Sequence, residues 1–170
     1  MLLTFSLAFA ENTTVQKDSI NIKESTKTTN KQSIDDIIIY SAKDSIVFSS
    51  SGSGFLYGES KINYKEIELK AHLIEMKTDS SIVFASGIKD SLNNLKGNPI
   101  FKEGKDTYES HTIKYNFQTK KGYITHAVTQ QGEGYVVSEH TKKTEDEILC
   151  MKDGKYTTCS NHEHPHFYLN

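Results

Sequence analysis

The segment Glu66-Ile67-Glu68-Leu69-Lys70-Ala71-His72-Leu73 alternates polar and apolar residues without a break. In an extended strand successive side chains point to opposite faces, so Ile67, Leu69, Ala71 and Leu73 share one side. Wound as a helix, the same four residues would be spread around the circumference with no face to bury. Beyond Leu73 the parity slips, and Ile74 and Met76 become the apolar pair, as at a β-bulge or tight corner. Further strand signals occupy residues 35–40, 44–48, 54–57, 61–64, 81–85, 112–118, 123–129 and 134–138. Residues 90–104, with Asn93-Asn94 and Gly97-Asn98-Pro99, read as loop, residues 119–122 as a turn and residues 141–147 as a charged connector. Strands this closely spaced, with no helical periodicity between them, predict an all-β antiparallel fold, either a sandwich or a set of stacked short strands. A shift of 51 residues lays Tyr57 on Tyr108, Ile62 on Ile113, Tyr64 on Tyr115 and Leu73 on Ile124, a faint internal repeat.

Alternation assigns an inward set: Ile46, Phe48, Phe55, Tyr57, Ile62, Tyr64, Ile67, Leu69, Leu73, Phe84, Ile113, Tyr115, Phe117, Ile124 and Tyr135. Two readings stay open for it. One is a filled core. The other is a sheet folded over an apolar groove that shelters an acyl chain, each buried methylene contributing roughly 0.8 kcal/mol.

The chain before this region differs in texture. Residues 1–10 form an apolar run ending in Ala8-Phe9-Ala10, which reads as a signal peptide lacking its basic front. Residues 11–33 are Thr, Ser, Lys, Asn and Gln with scattered aliphatics, the composition of a disordered tether. Residues 34–170 are then the folded domain. All 20 basic residues are Lys against 22 acidic ones, leaving a net charge of -2. That balance, without Arg, argues against nucleic acid as a partner. No arrangement of nucleophile and base stands out, and Gly52-Ser53-Gly54 and Gly132-Glu133-Gly134 have no following helix to cradle a phosphate. The chain reads as a non-enzyme with no cofactor.

The C-terminal stretch from Glu147 to Cys159 reads as a hairpin about Asp153-Gly154-Lys155. Two registers compete. An Asp153-Gly154 turn sets Cys150 and Cys159 diagonally, whereas a Gly154-Lys155 turn sets them opposite one another in a non-hydrogen-bonded pair. In an exported chain the second register predicts a Cys150–Cys159 disulfide. The alternative use of these thiols is zinc, shared with His162, His164 and His166, although the spacing is not that of a standard structural site.

Tyr108, Ile113-Lys114-Tyr115-Asn116 and the following Lys-Gly turn resemble the strand-turn-strand unit of the organic-solvent-tolerance and lipopolysaccharide-transport proteins. More specifically, Asp153-Gly154-Lys155-Tyr156-Thr157-Thr158-Cys159, followed by His164-Pro165-His166-Phe167-Tyr168, resembles the end of the periplasmic domain of the lipopolysaccharide-assembly outer-membrane proteins, the LptD family. The resemblance spans about residues 37–170. It implies a folded-over, V-shaped β-jellyroll at the periplasmic face of the outer membrane, with lipopolysaccharide passing through its apolar interior. It also implies a periplasmic bridge protein docked on an open sheet edge by strand addition. In that family a large barrel holding a lipoprotein plug follows the domain, so this chain, ending at Asn170, reads as a fragment. The family's cysteine at the position of Cys159 pairs in some members with distant barrel cysteines.

Overall fold

A computed structural model describes residues 36–162 and 165–169; the signal-peptide and tether readings, for residues 1–33, lie outside the described residues. The described residues hold fourteen strands: β1 (Ile39–Ser41), β2 (Ser45–Phe48), β3 (Ser53–Tyr64), β4 (Ile67–Lys77), β5 (Ile82–Ser86), β6 (Ile88–Lys89), β7 (Leu95–Lys96), β8 (Ile100–Glu103), β9 (Asp106–Glu109), β10 (Thr112–Asn116), β11 (Lys121–Gln131), β12 (Gly134–Lys143), β13 (Leu149–Lys152) and β14 (Lys155–Thr157). Twelve form one antiparallel sheet, and β6 and β7 pair separately within the loop-rich stretch.

The sheet is folded over into two leaves, and its long strands make the fold. The first half of β4 pairs with β8 and the second half with β5. The first half of β11 pairs with β10 and the second half with β9. The first leaf is therefore β1-β3-β4-β8-β9-β11-β12-β14, and the second is β2-β3-β4-β5-β10-β11-β12-β13. Strands β3, β4, β11 and β12 run through both leaves. This is an all-β, folded-over, V-shaped jellyroll of stacked short strands.

The fold line is built from backbone that ordinary strands avoid. In β3, Gly58 and Glu59 adopt φ of 74° and 43° where the register with β4 shifts between Tyr57 and Ser60. A Cβ on Gly58 would also collide with the Asp44 carboxylate, so this corner takes glycine on two counts. In β11 the corner falls at His126, with φ of 51°. In β4 and β11 the buried parity changes at the corner: Ile67, Leu69 and Ala71 give way to Ile74 and Met76, and Gly122 and Ile124 give way to Ala127 and Thr129, whereas β3 keeps Gly54, Leu56, Ile62 and Tyr64 on one buried face. Read from the sequence, the slip follows Leu73. In the fold it follows Ala71.

Two cross-strand ladders cover the facing surfaces. In the first leaf Tyr40, Ile62, Leu69, Phe101, Tyr108, Thr129, Val136 and Tyr156 stand in one row. The row in the second leaf is Ile46, Leu56, Ile74, Ala85, Ile113, Ile124, Thr141 and Met151. The repeat is visible here: Ile62 and Tyr64 at the end of β3 match Ile113 and Tyr115 in β10, all buried. The turn after β10 is longer, since Asn116 pairs with Lys121 whereas Tyr64 pairs with Ile67. By register the returning strands are thereby offset by 55 residues, not 51: Leu69, not Leu73, corresponds to Ile124, since Ile62 pairs with Leu69 as Ile113 pairs with Ile124. Tyr57 and Tyr108 differ, the first exposed and the second buried.

Replacing Phe101, fully enclosed between Leu69, Tyr108 and Tyr115, with Ala is expected to lower stability by about 3–5 kcal/mol in urea titration. The same change at exposed Phe84 is expected to remove about 1 kcal/mol or less, and equal losses at the two sites would refute this assignment of faces.

Candidate functional site: the interior of the jellyroll

The fifteen residues read as inward divide three ways. Ile62, Tyr64, Ile67, Leu69, Ile113, Tyr115, Phe117 and Ile124 belong to the buried core. Ile46 and Phe48 lie on the inner face, opposite Leu56 and Gly54, but β2 is an edge strand, and they stay 42% and 53% exposed. The inward assignment is corrected for the other five. Phe55, Tyr57, Leu73, Phe84 and Tyr135 alternate with buried neighbours and stand on outer faces. The cause is parity: Leu56, Ile74 and Val83 hold the inner positions beside Phe55, Leu73 and Phe84. Leu56, Met76, Ala85, Phe101 and Tyr108 are core residues outside the inward set. Phe101 and Tyr108 pair across the short β8–β9 hairpin, whose first strand falls in the stretch read as loop. The signal there was Ile100-Phe101-Lys102-Glu103, too brief to outweigh the adjoining Asn, Gly and Pro.

Aromatic rings join the leaves. Tyr64 meets Phe117 at 5.0 Å, and Phe101 meets Tyr115 at 4.9 Å between centroids. These contacts lie near the strand ends farthest from the fold line. Beside them Lys143, at the end of β12 in the second leaf, reaches Glu103 at the end of β8 in the first, with Nζ 2.8 Å from Oε2. The Tyr115 hydroxyl donates to Glu103 Oε1 at 3.5 Å. Burial, more than the nearby carboxylates of Asp106 and Glu103, pushes the Tyr108 hydroxyl up to about 12. Tyr115 is also raised, by burial first and the Glu103 charge second. Both phenols thus stay protonated donors through the neutral range. Towards β12 the inner surface turns polar, with Ser138 and Thr141 buried and hydrogen-bonded to each other.

A cleft of about 1180 Å³ lies outside this interior. Its floor includes Ile100, Val128 and Val137, on the face of the first leaf opposite Phe101 and Tyr108, and Leu95, Pro165 and Tyr168 contribute to its walls. At the fold line it meets the stacked rings of His111 and His126, 4.2 Å apart, and His126 Nε2 lies 2.9 Å from Glu139.

The C-terminal hairpin and its disulfide are corrected. β13 and β14 do not pair with each other. Both pair with β12 in one continuous register, Lys152 opposite His140 and Lys155 opposite Val137. Asp153-Gly154 marks the fold line, not a reversal, with Asp153 at φ of 55°. From Cys150 to Thr157 the chain therefore advances about 23 Å at roughly 3.3 Å per residue. A disulfide spans about 4.4–6.8 Å between Cα atoms. Both thiols are free. His162 packs on Tyr135, His166 approaches Cys159, and His164 lies outside the described residues. Among the described residues no group of three or more metal-ligating side chains converges.

Comparison with family models and with curated proteins finds no match. Among solved structures the fold recurs in LptH, the LptA-homologous periplasmic component of the lipopolysaccharide transport device of Pseudomonas aeruginosa. The TM-score is 0.58 at 15% identity, over 77% of this chain and 88% of that one. The two chains share a fold.

Cys159 accepts hydrogen bonds from the backbone N–H groups of His166 and Asn161 and lies 3.5 Å from His166 Nδ1, which holds its thiol below the ordinary cysteine range. Unreduced native protein is expected to show both thiols to Ellman's reagent. Alkylation of Cys159 by iodoacetamide should persist to lower pH than that of an unstructured cysteine peptide, because a lowered pKa keeps the thiolate populated there. Loss of both thiols without reductant would restore the disulfide.

Proposed function

We propose that residues 34–170 form a periplasmic module of a lipopolysaccharide-transport system that shelters acyl chains between its two leaves. The observation that carries this reading is the open end of the interior. The two inner ladders run from strand to strand across the whole sheet and end uncovered at β1 and β2. There Tyr40 and Phe48, one from each leaf, meet edge to face at 5.5 Å, with Tyr40 41% exposed. A core that closed on itself would cap this end. The fold shared with LptH supports lipopolysaccharide as the cargo.

The same end supplies the partner surface. β1 and β2 both lie along β3 with their far edge unpaired among the described residues, and Ile39, Tyr40, Ile46, Val47 and Phe48 are exposed on them. An apolar edge strand of this kind is a template for strand addition. In this reading a bridge protein of the same system adds a strand there and continues the apolar path. The setting proposed is the periplasmic side of the outer membrane, as the domain preceding a barrel with its lipoprotein plug. Residues 153–159 and 164–168 support that placement through their resemblance to the outer-membrane assembly proteins. The bridge component itself is the alternative setting, supported by the likeness to LptH.

One observation favours a second reading, a solid-core scaffold. The core side chains between the leaves are at most 8% exposed, and the large cleft lies outside them. Photocrosslinking decides between the two. With benzoylphenylalanine at Tyr64 or Phe117, where the leaves meet, adducts with lipopolysaccharide are expected. Their absence beside a working positive control would leave the scaffold.

A further inference from the structure

The leaves touch along a seam of strand ends, and the contacts there are of two kinds. The Tyr64–Phe117 and Phe101–Tyr115 contacts are apolar, and an acyl chain sliding between the rings replaces one apolar neighbour with another. The Glu103–Lys143 contact is ionic, and a hydrocarbon replaces nothing in it. Its two facing atoms, Glu103 Oε2 and Lys143 Nζ, are shielded from solvent, and the Lys143 side chain is only 5% exposed. Separating the leaves therefore separates two charges that have little water between them, and with them the Tyr115–Glu103 hydrogen bond, whereas the ring contacts are exchangeable.

The remaining charges at these strand ends are of a different kind. Lys65 and Glu66 lie in the β3–β4 turn, Lys105 lies in the β8–β9 turn and Asp106 follows it. Lys120 and Lys121 end the β10–β11 turn, and Glu145, Asp146 and Glu147 lie between β12 and β13. All are exposed, where solvent and salt weaken their interactions.

We propose that Glu103 and Lys143, steadied by the Tyr115 hydroxyl, are a clasp at which the seam of the jellyroll opens and closes. The inference rests on the acyl-chain reading for what passes the seam, but the clasp itself is a property of the leaves. With the pair made, the lips are shut over the aromatic interior. With it broken, the first leaf can swing about the corners at Gly58-Glu59 and His126.

The test places spin labels on Lys102→Cys and Lys142→Cys, the exposed neighbours of the pair on the two leaves, in a chain carrying Cys150→Ser and Cys159→Ser. Pulsed electron resonance is expected to give one narrow separation with the native pair. Lys143→Met should lengthen and broaden it, and the exchanged pair E103K/K143E should restore it. Glu103→Gln, which keeps the side chain's shape, is the milder arm and should shift the separation in the same direction if Lys143→Met does not fold. Binding of the fluorescent fatty acid cis-parinaric acid should tighten about tenfold or more in the opened variants, the scale set by losing a buried pair. It should fall back in the exchanged pair. A separation indifferent to both single substitutions, or an exchanged pair that stays open, overturns the clasp. If the separation responds as stated while neither parinaric acid nor lipopolysaccharide binds any variant, the clasp stands and the acyl-chain reading falls. If lipid binds and the separation ignores Lys143, the reverse holds.

Discussion

A strand that passes from one leaf of a folded sheet to the other must turn a sharp corner while keeping side chains packed on the inner face. The whole molecule depends on that constraint. Four strands make the passage, and at the corners of β3, β4 and β11 the chain adopts left-handed backbone, a shifted register or a switch in parity. The remaining strands avoid the problem by stopping. β1 and β2, β5 and β8, β9 and β10, and β13 and β14 are pairs of short strands broken at the line where the long ones bend. The corners thus explain the strand lengths, and the strand lengths explain why two leaves of similar width face each other over one core.

The same constraint decides what could be read from the sequence. The all-β class was legible because unbroken alternation at residues 66–73 and 112–117 has no helical counterpart. The slip in β4 was legible as a corner, two residues late. What failed were short runs in which apolar residues stand side by side. Ile82-Val83-Phe84 and Gly54-Phe55-Leu56-Tyr57 contain two apolar faces, and alternation within four residues cannot rank them. Read by size, the larger aromatic is the one expected inside. The structure has the opposite: Val83 and Leu56 are buried between the leaves while Phe84 and Tyr57 stand on the outer faces. Asp153-Gly154 is a strong reversal signal. Here the same tolerance for left-handed backbone serves a corner, which no local pattern distinguishes from a turn, and the expected disulfide was lost with the hairpin.

The interior is not uniform along its length. At the β1–β2 end the inner ladders finish in Tyr40, Ile46 and Phe48, uncovered and apolar. At the β12 end they pass into Thr129, Ser138, Thr141 and Lys143, buried and polar. Buried hydroxyls stabilise a fold only when their hydrogen bonds are made. Ser138 and Thr141 satisfy each other across the β12 corner, and Lys143 is met by Glu103. The apolar end has no such internal solution: its exposed rings gain most from another strand laid beside them.

A filled interior and a sheltered lipid are compatible if the exchange between them is close to neutral. Opening the leaves exposes the aromatic side chains at the seam, and acyl chains inserted there cover them again. For a chain passed on from another apolar groove, and not from water, the apolar part of the balance differs little between the closed and the loaded states. A buried ion pair breaks that symmetry, because no part of a hydrocarbon chain compensates either charge once they part. In such a design the polar contact, not the larger apolar surface, sets the energy gap between shut and loaded. One Lys and one Glu at the ends of two strands then govern access to a core made almost wholly of aliphatic and aromatic residues.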